Sequence, residues 1–134
     1  MIIDTSALIA ILLGEPEAEV LIRIIAATPS CKMSSFSLLE AGIVIEAKKG
    51  ADGGRELDFF IHKARIEIVS LDEEQSQMAR DGWRKFGKGR HPAGLNIGDC
   101  CSYALAMHSG EPLLFKGDDF PGTDVETVEY RVGG

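Results

Sequence analysis

The sequence predicts an α/β domain of three layers, α/β/α, around a central and mostly parallel sheet. Two observations carry the prediction. Short apolar, β-branched runs alternate with longer amphipathic segments, and caps, glycines and prolines mark most of the boundaries between them. Strands separated by helices pair in parallel through right-handed crossovers, which places helices on both faces of the sheet.

In order, Met1 to Asp4 reads as a short strand, and Thr5 or Ser6 caps a helix from Ala7 to about Leu13, stopped by Gly14. Pro16 suits the first turn of a second helix reaching Ala27. Cys31 to Ser34 is a strand, and the serines beside it cap a long helix from Phe36 to Lys49, closed by Gly50. Gly53 and Gly54 break the chain before a helix from Arg55 to Ala64. Ile66 to Leu71 has strand composition, and Asp72 caps a helix to about Phe86. A loop rich in Gly, Lys, Arg, His and Pro runs from Gly87 to Leu95, after which Asn96 caps a helix to His108. Pro112 to Phe115 and Val125 to Tyr130 are the last strand candidates.

A chain of 134 residues, 45% hydrophobic, fits one domain over 1–134 with a modest core. Its longest apolar runs fall short of the roughly 20 residues of a membrane span, and no signal peptide is visible, so a cytoplasmic protein is expected. Cys31, Cys100 and Cys101 form an odd set without CxxC spacing, which suits buried thiols rather than a zinc site or a disulfide framework. The net charge of −7 argues against a broad basic surface for nucleic acid, though not against a local patch or a metal-mediated contact.

Against this background the acids stand out. Asp4, Glu40, Asp99 and the pair Asp118/Asp119 lie at or within apolar segments, where carboxylates need partners. Asp4 closes the first strand, Asp99 falls in the first turn of a late helix, and Asp118/Asp119 follow the strand ending at Phe115. Ligands of open parallel sheets bind beyond the carboxyl ends of the strands, where strand order reverses. Glu40 sits one turn into a helix among Leu38, Leu39, Ala41 and Ile43, pointing into a cleft.

Each acid also has a structural reading. Asp4 suits a helix cap, Asp99 stands three residues after Asn96 as in a capping box, and one of Asp118 and Asp119 shapes a turn after Gly117. A lone charge on the apolar helix of Glu40 is the hardest to explain without a partner. Taken together, three or four acids without His or Cys suit a hard divalent cation, Mg2+ or Mn2+, which takes oxygen ligands and activates water for attack on a phosphodiester. His62, His91 and His108 lie outside the acidic segments and are given no ligand role.

DTSAL at 4–8, the serine-rich approach to LLE at 38–40, LNIGDC at 95–100 and LLFKGDDF at 113–120 together resemble the PIN-domain proteins, and among them the VapC-type toxins of bacterial toxin–antitoxin pairs. The resemblance covers essentially the whole chain. It implies a Mg2+- or Mn2+-dependent endoribonuclease, commonly a homodimer, neutralised by a small VapB-type antitoxin in a hetero-oligomer. By position, the metal-binding acids become Asp4, Glu40 and Asp99, with Asp118 as the favoured fourth acid and Asp119 as a second candidate. Many relatives carry Thr-x-Asn or Thr-x-Asp after this strand, where this chain reads Lys116-Gly117-Asp118-Asp119. Thr5 and Ser6 match positions where a hydroxyl holds a ligand or a water.

The run from Arg84 to His91, with Lys88 and Arg90, is a candidate phosphate contact, or else a solvated helix end. The apolar stripes of Ala7–Leu13 and Ala18–Ile25 read as a dock for an antitoxin helix, as plain core or as a dimer interface. A phosphoryl-transfer domain of the receiver or haloacid-dehalogenase type is the alternative, since it too sets an aspartate after a parallel strand beside Mg2+. Asp4 lacks the second acid two residues on that a DxD motif needs, and the early acidic pair of receivers is missing. A purely partner-binding domain is the third reading.

Overall fold

The computed structural model describes residues 1–133; Gly134, the last residue of the expected domain, lies outside them. The elements follow the predicted alternation: β1 (Ile2–Ile3), α1 (Thr5–Leu12), α2 (Ala18–Ala27), β2 (Cys31–Ser34), α3 (Ser35–Lys63), β3 (Ile66–Val69), α4 (Glu73–Phe86), α5 (Ile97–Ser109) and β4 (Leu113–Leu114), with a 3-10 turn at Phe120–Gly122. The strands form one sheet in the order β3-β2-β1-β4, every neighbour parallel. The chain winds outward from β1 to β3 and then returns to the other side of β1. The order therefore reverses between β1 and β4, and their carboxyl ends open the crevice where such sheets bind ligands.

Strand alternation produces two cores, one on each face of the sheet. Ile2 and Leu113 are register partners and face α4 and α5, among Tyr103, Leu105 and Phe120. Their successors Ile3 and Leu114 face α1 to α3, among Leu8, Leu21, Ile45 and Leu57. Each such fully buried side chain contributes about 1.5–3 kcal/mol relative to exposure, enough for these very short strands to organise three layers. The approach of α4 to α5 depends on Gly82, where a Cβ would stand 2.7 Å from the Tyr103 ring.

Several boundaries differ from expectation. Asp4, rather than Thr5 or Ser6, caps α1, because only its carboxylate accepts the Ser6 N–H at 3.0 Å. Gly50 breaks α3 with φ 68°, but Gly53 and Gly54 do not interrupt the second limb. Gly53 instead lets that limb fold back closely, since a Cβ there would meet the Ile45 carbonyl and Lys49 at 2.9 Å. The segment from Val125 to Tyr130 is no strand: it makes a single parallel bridge, Thr127 to Leu113. The apolar stripes of α1 and α2 go largely into the core through Ala7, Leu8, Leu21 and Ile25. Among the described residues no helix is long and apolar enough to cross a membrane, and all three cysteines are free and buried.

Candidate active site

Asp4 leaves the carboxyl end of β1 and is 97% buried, at 3% relative exposure. One oxygen caps α1, and the other accepts the Ser102 hydroxyl at 2.6 Å. Since that hydroxyl spends its proton on Asp4, Ser37, 3.3 Å away, donates to Ser102 in turn. A buried Ser37–Ser102–Asp4 relay thus fixes the carboxylate. Neither serine was singled out from sequence, although each stands three residues from an acid on its own helix, Ser37 before Glu40 and Ser102 after Asp99. That spacing puts hydroxyl and carboxylate on one helical face.

Asp99 is the third residue of α5 and completes the capping box: Asn96 accepts its N–H at 2.8 Å, and it accepts the Asn96 N–H at 3.1 Å. The capping reading and the cleft reading are both realised by the same side chain. Burial pushes the Asp99 carboxyl up to about 7, against the lowering effect of the Asn96 N–H. The Asp4 charge, and hydrogen bonding and repulsion from Asp119, raise it further. The site thus holds more negative charge than its own surroundings neutralise.

Glu40 reaches the same cleft from α3 and is half-buried rather than enclosed. Its carboxylate lies against Gly98, so closely that a Cβ there would collide with it. The amino end of α5, which favours negative charge, is therefore a partner for Glu40, and its position does not by itself require a metal.

Of the acidic pair, Asp119 is the one whose charge helps push the Asp99 carboxyl upward, behind burial and the Asp4 charge. Asp119 precedes the 3-10 turn without capping it through its side chain. Both Asp118 and Asp119 are exposed and neither lines the cleft, so the two acids stay equal candidates for the fourth position. Asp4, Glu40, Asp99 and Asn96 line a concavity of about 300 Å³ together with Thr5, Ser6 and Lys116. The Thr5 hydroxyl donates to the Ser37 carbonyl at 3.4 Å, and the Ser6 hydroxyl accepts the Lys116 N–H at 2.9 Å. The Lys116 ammonium, the cation of this cleft, is paired with Glu15 at 2.8 Å and Glu17 at 3.5 Å. Lys88 and Arg90 are not part of this lining. Lys88 borders a separate cavity that shares Asn96 with the cleft, and Arg90 packs over Trp83. Among the described residues, no three acidic, His or Cys side chains converge tightly enough to enclose a metal ion unaided.

The PIN-domain family profile matches residues 1–126. A Ribonuclease VapC of Mycolicibacterium smegmatis is 56% identical over 128 residues, covering 96% of this chain and 99% of the relative. The chain belongs to the VapC family of PIN-domain proteins. A second VapC relative, Ribonuclease VapC30 of Mycobacterium tuberculosis, is 52% identical over 96% of this chain and 98% of its own length. Among solved structures, this VapC-family chain superposes on M. tuberculosis VapC20, a toxin that cleaves the sarcin-ricin loop, with TM-score 0.78 and 17% identity over 96% of the chain and 98% of VapC20. It superposes on a chain of a Klebsiella pneumoniae toxin–antitoxin complex with TM-score 0.74 and 16% identity, covering 98% of each. At these identities the superpositions establish the fold. The receiver-like alternative belongs to a different family from the one this chain matches.

Proposed function

We propose that the protein is a Mg2+- or Mn2+-dependent endoribonuclease and the toxin of a VapBC-type pair. The observation that carries this reading is the convergence of Asp4 from β1, Glu40 from α3 and Asp99 from α5 on one cleft. The names of the relatives, ribonucleases at 52–56% identity over nearly the full chain, supply the reaction class. The toxin–antitoxin complexes among the fold neighbours supply the partner class, a small antitoxin, and a homodimer or toxin–antitoxin hetero-oligomer is the assembly we expect.

The donor set fits the cation. All the candidate side chains offer carboxylate oxygens, and burial, reinforced by the Asp4 charge, pushes the Asp99 carboxyl upward. Mg2+ retains several waters and uses only one or two carboxylates directly. Asp4, Asp99 and Glu40 would hold it, directly or through its waters, with Asp118 or Asp119 as the fourth acid. When bound, such an ion stabilises charge on the reacting phosphate and makes its water a better nucleophile. The residues of the chain do the positioning. Ser102 and Ser37 keep Asp4 in one orientation, and the Asn96 box does so for Asp99. Glu40, which lies against Gly98 in the first turn of α5, would orient a water and take its proton.

The purified protein should cut single-stranded RNA in Mg2+, cease in EDTA, and form no phosphoaspartate with acetyl phosphate. Metal-independent silence toward RNA together with aspartyl phosphorylation would replace the nuclease with the phosphoryl-transfer reading.

A further inference from the structure

A mostly apolar concavity adjoins the acids without including them. A cavity of about 540 Å³ lies between α4 and α5, within the size range of small-molecule sites. Its apolar wall includes Leu71, Trp83, Ile97 and Cys100. Trp83 is 43% exposed and Ile97 69% exposed, large apolar surfaces that the fold leaves uncovered. Arg80, Arg84 and Lys88 border the same cavity, and the Arg90 guanidinium packs 4.6 Å from the centre of the Trp83 ring. Arg84 shares its charge with Asp81, whereas Arg80 meets only the neutral Gln77. In a chain of net charge −7 such a grouping of cations is a local exception. Asn96, whose box holds Asp99, forms a wall of both the cavity and the acid cleft.

We infer that this cavity takes one unstacked base of a single-stranded RNA, packed against Trp83 and Ile97, while Arg80, Lys88 and Arg90 hold the flanking phosphates. The inference rests on the nuclease reading and makes the cavity the subsite next to the scissile bond. An aromatic ring beside cations is the combination that binds single strands, the ring through the base face and the cations through the backbone. The cations on the cavity border suit a polyanion, and a second copy of the chain is the competing occupant.

Trp83 is the one tryptophan of the sequence, so its emission reports on this cavity alone. In EDTA, titrating the intact protein with a mixed-sequence single-stranded RNA of about twelve nucleotides should quench that emission saturably. In Mg2+, Trp83→Leu should raise the KM for the same RNA roughly tenfold, the usual range for a lost base stack, with kcat within about threefold. Arg80→Gln should flatten the salt dependence of KM by about one charge. RNA binding with unaltered emission, or a wild-type KM in Trp83→Leu while the wild type cleaves, overturns the base site alone. Emission that shifts with protein concentration in the absence of RNA, accompanied by a doubled mass, assigns the face to self-association and overturns it as well. No cleavage by the wild type in Mg2+ defeats the nuclease reading itself.

Discussion

Asp99→Asn should make the metal-free protein more stable at pH 8 while lowering RNA cleavage by about 10³-fold or more, the scale of several kcal/mol of lost charge stabilisation. The folded-state carboxyl sits at about 7, above its ordinary 3.8. The native state thus binds the proton more tightly than the unfolded chain. Between those two values stability falls as pH rises, and above about pH 7 the full penalty is present. Asparagine removes the penalty, retains an oxygen for the Asn96 N–H, and leaves the fold intact. Because the group is partly solvated, the gain is about 1–2 kcal/mol, seen as a melting temperature a few degrees higher. Added Mg2+ should raise the melting temperature of the wild type at pH 8 and not that of the variant. A variant destabilised at pH 8, or an equal response of both proteins to Mg2+, would show that Asp99 is not the repelled, metal-answering acid described above.

The second large effect is expected at a residue with no side chain. Gly98→Ala places a methyl group where the Glu40 carboxylate lies. Glu40 is long and half-exposed, so it can swing away at little cost to the fold. Alanine also favours the helix by up to about 1 kcal/mol, so the melting temperature should hold or rise slightly. Cleavage should nevertheless fall by about 10- to 100-fold, because a displaced catalytic group loses its geometry. If the damage passes through Glu40, Gly98→Ala adds nothing to Glu40→Ala in the double variant. Additive losses would mean that Gly98 acts elsewhere, for instance on the Asn96 cap.

The comparison of sequence with structure separates two kinds of information. Asp72 and Asn96 were recognisable as caps, and β2 at Cys31–Ser34 as a strand, because local chemistry decides them. Asp4, Glu40 and Asp99 could be assigned to one cleft because parallel topology brings strand ends together. What remained hidden depends on contacts between distant segments. Ser37 and Ser102 become a relay only where α3 crosses α5, and Gly53 and Gly54 read as breakers until packed against the first limb of α3. Asp118 and Asp119 follow Gly117, whose φ of 121° turns the chain before the 3-10 turn, a local path that no spacing rule anticipates. The β-branched run at Val125–Tyr130 was read by propensity, yet only Thr127 finds a partner on β4.

The central claim is that the acids gathered at the ends of β1 and α5 cut RNA through a divalent cation. The most direct measurement is the rate at which purified wild type and Asp4→Asn cleave one labelled single-stranded RNA at pH 8, in Mg2+ and in EDTA. Cleavage by the wild type in Mg2+ alone, with Asp4→Asn folded and inactive, is the expected result. Cleavage that persists in EDTA, or a wild-type rate in Asp4→Asn, would contradict it.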